Sequence, residues 1–109
     1  MHLNFLGKCG SDKKNCPTLY ATDQRSFVVQ GWRTDHPETI EIPHALLGFA
    51  GEEGFIAATM TDTGRGSFIV SGRPITDSGT LEQLTMEDFE TAIEVPRAER
   101  IYFGGISRR

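Results

Sequence analysis

The residues of this chain that could do chemistry are two cysteines, three histidines and a scatter of acids. Cys9, Cys16, His36, His44 and, less plausibly, His2 are the side chains able to ligate zinc. Structural zinc sites bring their ligands in two close pairs, such as two cysteines two residues apart. Here six residues separate the cysteines and seven separate His36 from His44. Free thiols and surface histidines are the expected reading, with no metal and no cofactor. A nucleophilic site could be drawn from Cys16, His36 and Asp23 or Asp35. A reactive thiol needs a base within hydrogen-bond reach and an environment that favours thiolate. Cys16 runs through Pro17 into a strand, so no helix N-terminus follows it. Gly64-Arg65-Gly66 reads as a hairpin turn and Gly104-Gly105 lies near the end of the chain. Neither sits between a parallel strand and a helix, as a phosphate loop must. These residues predict a non-catalytic protein.

Binding chemistry is better represented. Trp, Tyr and Arg dominate interaction hot spots, and Tyr20, Arg25, Trp32 and Arg33 lie close together in the sequence. In the strand through Phe27, Val29 and Gly31, the period of two places those residues on one face and Val28, Gln30 and Trp32 on the other. Trp32 is then either buried between packed units or exposed beside Tyr20, Arg25 and Arg33 as a partner-binding anchor.

The elements that must position these residues come in two copies. Ser26-Phe27-Val28-Val29-Gln30-Gly31 returns further along the chain as Ser67-Phe68-Ile69-Val70-Ser71-Gly72. Ala21-Thr22-Asp23 is echoed by Met60-Thr61-Asp62, and Ile40-Glu41-Ile42-Pro43 by Ile93-Glu94-Val95-Pro96. The distance between matching segments widens towards the end, which marks an insertion of about 12 residues around Ser78 to Phe89 in the second copy. Each copy predicts a strand (Thr18 to Thr22; Phe55 to Thr61), a polar turn, and a second strand of β-branched and aromatic residues. A third strand (Thr39 to Ile42; Ala92 to Val95) then stops at a proline. Pro43 to Ala50, followed by Gly51, predicts a short helix, and the insertion predicts another, capped by Asp77 or Ser78 and running through Leu81 and Leu84. Ile101 to Phe103 predicts a last strand. Gly31 and Gly72, at matching places inside strands, predict a close backbone approach, one copy against the other.

The expected fold is mainly β, with two tandem ββ(α)β modules packed about a pseudo-twofold into one antiparallel sheet or a small barrel-like body. A single domain follows, with repeats over 16–50 and 55–103 after a polar N-terminal segment, 1–15. The net charge of −4 arises after Gly51, where ten acidic residues meet six basic ones. Nucleic-acid binding needs a basic stripe, so direct contact with nucleic acid is not expected. No apolar run approaches the roughly 20 residues of a membrane helix, and the N-terminus lacks a basic start before an apolar run. A cytoplasmic location is expected.

The run Cys16-Pro17-Thr18-Leu19-Tyr20-Ala21-Thr22-Asp23, with Phe27-Val28-Val29-Gln30-Gly31-Trp32 and Glu41-Ile42-Pro43, resembles a family of short, uncharacterised actinobacterial proteins built on one such module. The resemblance covers most of the chain. In that family a helix beginning at a Thr-Asp pair leads to a Val-Glu-Val-Pro strand. Thr76-Asp77, Leu81 to Leu84 and Ile93-Glu94-Val95-Pro96 keep that form, whereas the first copy bridges the gap with Asp35 to Thr39. The resemblance implies a regulatory or partner-binding role, with a helix-turn-helix DNA-binding regulator as a candidate partner. A self-associating β protein, a homodimer through its edge strands, is the alternative, and a small metal- or cysteine-dependent protein comes third.

Overall fold

The computed structural model describes residues 1–9 and 17–98, with the backbone alone at Glu52. Cys16, residues 10–15 of the polar N-terminal segment and the strand expected over Ile101 to Phe103 lie outside the described residues. The rest is mainly β. Strands β1 (Leu3–Lys8), β2 (Thr18–Thr22), β3 (Ser26–Arg33) and β4 (Thr39–Pro43) precede a 3-10 helix, His44–Glu53. β5 (Phe55–Ile56), β6 (Met60–Asp62), β7 (Ser67–Ser71), β8 (Arg73–Pro74), the short helix α1 (Ser78–Leu81) and β9 (Glu90–Ala98) follow.

All strand pairings are antiparallel, and β1 and β6 form the two ends of the order β1-β2-β3-β4-β7-β6. The long strands are shared between copies. β3 pairs with β9 from Ser26 opposite Pro96 to Trp32 opposite Glu90, and β7 pairs with β4 from Ser67 opposite Pro43 to Ser71 opposite Thr39. Each second strand also reaches its own copy's third strand, Trp32 opposite Glu41 and Arg73 opposite Glu94. Side-chain bonds repeat the exchange. Ser26 Oγ donates to Glu94 Oε2 at 2.6 Å, and Ser67 Oγ donates to Glu41 Oε2 at 2.5 Å. Thr22 and Thr63 each bond the serine of their own turn at 2.7 Å.

Alternation puts Phe27, Val29, Ile40, Ile42, Val70, Ile93 and Val95 into one core with Leu19 and Leu46. Phe27, Val29, Ile40, Ile42, Leu46, Ile93 and Val95 are all fully buried. Burying such a side chain contributes roughly 1.5–3 kcal/mol. The opposite sheet face carries a smaller core of Leu3, Val28 and Ala92, covered by Leu84 and Met86 from the insertion.

Several elements differ from expectation. The polar segment 1–15 contains β1, whose Leu3 and Gly7 are buried while Asn4 and Phe5 are exposed. The strand expected over Phe55 to Thr61 is broken. Its first part pairs with β9 and its last part with β7, so residues 57–59 change partners. Pro96 does not end β9. It stands opposite Ser26 where the partner changes from β3 to β5, and its carbonyl accepts from Ala57 N at 2.9 Å. The missing N–H is tolerated at such a junction. The helix after Pro43 is 3-10 and runs past Gly51, which kinks it at φ 54. In the insertion only Ser78–Leu81 is helical, with Asp77 as the cap accepting from Thr80 N, and Leu84 packs from the turn beyond it.

The close approach at the paired glycines is real, but it falls within each copy rather than between copies. A Cβ on Gly31 would stand 2.7 Å from the carbonyl oxygen of Glu41, and one on Gly72 would stand 2.8 Å from that of Glu94. Each glycine lets its strand bend onto its own third strand.

Candidate functional site

β3 carries Trp32 and Arg33 past the bend at Gly31 to a rim where three strands meet. Trp32 stands opposite Glu41 on one side and Glu90 on the other. Residues directly opposite share a sheet face, so Glu90, Trp32 and Glu41 form a row that continues to Ile69 on β7. Trp32 is half-buried, and neither of the two readings left open by sequence holds alone. One ladder step further, Arg33 N donates to the Phe89 carbonyl at 2.8 Å. The Arg33 side chain is exposed, and its Nε donates to the Asp88 carbonyl at 2.8 Å. That bond orients the guanidinium plane. Phe89 itself is 47% exposed. Arg65, from the β6–β7 turn, joins the surface by pairing with Glu41 at 3.1 Å.

The four residues singled out by sequence do not gather here. Arg25 occupies the turn before β3 at φ 60, the position that Gly66 fills at φ 87 in the second copy. Seven residue steps of extended strand, roughly 23 Å, take the chain from Arg25 to Trp32. Tyr20 stands opposite Val28 on β2, and its ring meets Phe5 edge-on at 6.2 Å between centroids. Burial, and then the charge of Glu90, push the Tyr20 phenol above its usual range. Only Trp32 and Arg33 share one place. Phe89, which completes it, falls in the insertion, where sequence predicts a helix and no ladder contact with Arg33. The signal available was the position itself: Phe89 immediately precedes the strand that runs opposite β3.

The insertion is held against this face by buried polar groups. Gln30 Nε2 donates to the Thr85 carbonyl at 2.9 Å and to Glu90 Oε1 at 3.2 Å, and Glu87 N also donates to Glu90 Oε1, at 2.9 Å. Glu90 is 1% exposed, and its Oε2 has no hydrogen-bond partner among the described residues.

Clefts also open elsewhere among the described residues. One of about 400 Å³ is apolar, lined by Leu47, Ala50, Phe55, Ile56 and Met60. It borders β9 at Ala98, where the described chain ends. A second, about 310 Å³, lies among Phe5, Lys8, Tyr20 and Gln30.

The ligand candidates are scattered. His44 Nε2 lies 3.4 Å from Asp62 Oδ1, and the ring stacks on Phe68 with centroids 4.2 Å apart. Asp62 is held below the usual carboxylate range, first by the Gly64 N–H and then by His44. Among the described residues no three of His, Cys, Asp or Glu converge as a metal site. No helix among them is long and apolar enough to cross a membrane. No family model, curated protein or solved structure matches the chain.

Proposed function

We propose that this protein is a non-catalytic protein-interaction module whose contact surface is the rim formed by Trp32, Arg33 and Phe89. The observation that carries the reading is the exposed Arg33 guanidinium, oriented by the Asp88 carbonyl, at the ladder step of the exposed Phe89, with the half-buried Trp32 next in the strand and on its other face. Such groups supply large contact area with little conformational freedom left to lose on binding. The partner is a protein, and a helix-turn-helix regulator is the candidate that the family resemblance implies.

The edge-pairing homodimer is the weaker reading. At β1 the register slips at Leu6, the Leu3 N–H is taken by Gln83 Oε1 at 2.9 Å, and Lys8 is exposed. β6 is three residues long. Bulges, charges and short strands are the usual means of blunting an edge.

Native extract passed over immobilised protein tests the reading. Trp32→Ala combined with Phe89→Ala is expected to lose a retained partner while far-UV circular dichroism and melting stay close to wild type. A double variant that retains every partner, or one that loses them only because it unfolds, would contradict the assignment.

A further inference from the structure

The ladders that hold this molecule together run between the two copies. β3 pairs with β9, β4 pairs with β7, and the Ser26–Glu94 and Ser67–Glu41 bonds follow them. The copies are joined through one crossover. Ala50 is buried in the core, Phe55 is paired with Ala98, and between them the chain turns at Gly51 (φ 54, ψ −126) and Gly54 (φ 127). Both glycines occupy backbone regions that side-chain-bearing residues rarely adopt. Gly51 is exposed, and a Cβ added there would meet nothing within 4 Å. Further along the turn, a Cβ on Gly54 would stand 2.6 Å from the Ala98 carbonyl oxygen and Arg97 pairs with Glu53 at 3.1 Å, so the crossover rests on β9 there.

We propose that the chain forms a domain-swapped homodimer, in which residues 1–50 of one copy close on residues 55–98 of a second. Every ladder in such a dimer is one that the single chain already makes, so no new complementary surface is required. Only the crossover changes, from a turn to an extended connection, which is the route by which swapped dimers form at little cost. The exchange also rebuilds the contact surface. Trp32 and Arg33 come from one chain and Phe89 from the other, so each rim is completed by the second copy and the dimer carries two. The proposal does not rest on the interaction reading, because its readout is chain association with no partner present.

Gly51→Pro tests it directly. Proline locks φ in the negative region that extended backbone uses, which excludes the observed turn and suits an extended crossover. The background carries Cys9→Ser and Cys16→Ser, with Thr39→Cys and Ser71→Cys at opposite positions of the β4–β7 ladder. That added pair links one chain to itself in the monomer and two chains in the swapped dimer. Light scattering after size exclusion should show the dimer fraction rising roughly ten-fold or more with Gly51→Pro, and a non-reducing gel should show linked pairs of chains. A variant that stays monomeric, or a dimer whose disulfides remain within chains, overturns the proposal. If Gly51→Pro does not fold, the Gly51 parent refolded at high protein concentration gives the same readout. Linked pairs are expected, and they should diminish when a flexible Gly/Ser stretch lengthens the crossover. Absence of linked pairs from the refolded parent overturns the proposal equally.

Discussion

Gly31 and Gly72 show how single residues set this architecture. Each sits where a Cβ would collide with a backbone carbonyl, and a carbonyl within a ladder cannot swing aside as a flexible side chain can. Alanine at either position should therefore lower stability by about 1–3 kcal/mol, the usual cost of forcing volume into a packed site, measured by urea denaturation. Glu94 is the electrostatic counterpart. Burial works against its charge, but the Arg73 and Ser26 hydrogen bonds outweigh that and hold its carboxyl below the ordinary value of 4.5. A carboxyl whose value is lowered by folding contributes stability that is fully present above 4.5 and lost as pH falls through the lower folded value. Glu94→Gln should flatten the stability profile in that acid window and leave its shape near neutrality unchanged. Arg73 is largely exposed, so the contribution should also shrink with added salt.

Among the elements, the insertion is the piece most loosely joined to the frame. Its helix spans only four residues and depends on Asp77, which Thr80 holds below the usual carboxylate range through its hydroxyl first and its N–H second. Asp77→Ala should cost about 1 kcal/mol, as loss of an N-cap does. Hydrogen exchange should quicken over residues 77–89 while the β3–β9 amides stay protected. The strands themselves were legible from sequence. Alternation and β-branched residues located β2, β3, β4 and β7, and the repeated Ile-Glu-Ile/Val-Pro runs located β4 and the middle of β9. What escaped was set by tertiary partners. β1 was hidden because the polar run from Lys8 to Asn15 that follows it sets the character of the N-terminal segment. β9 runs through Pro96 only because β5 takes over as its neighbour there. Of the candidate site, Trp32 and Arg33 were legible as one spot because they are adjacent in sequence. Tyr20 and Arg25 looked like neighbours for the same reason, but Arg25 lies at the far end of β3 and Tyr20 on β2 opposite Val28. Phe89 reaches Arg33 through a ladder between segments far apart in sequence, which local pattern does not encode.

At the scale of the whole molecule, the fold turns on ladders between residues 1–50 and residues 55–98. Neither half has a complete set of partners without the other, since β3 needs β9 and β7 needs β4. Elements that share ladders in this way open together, in one cooperative unit. The backbone at Trp32, paired with Glu41 and Glu90, shares that rigidity. Native-state hydrogen exchange, resolved by residue, tests this most directly. The slowest amides of the β3–β9 ladder and of the β4–β7 ladder should exchange with one common free energy, equal to that of global unfolding. If one ladder opens at a markedly lower free energy while the other stays closed, the copies fold as separate units and the interlocked frame described above is wrong.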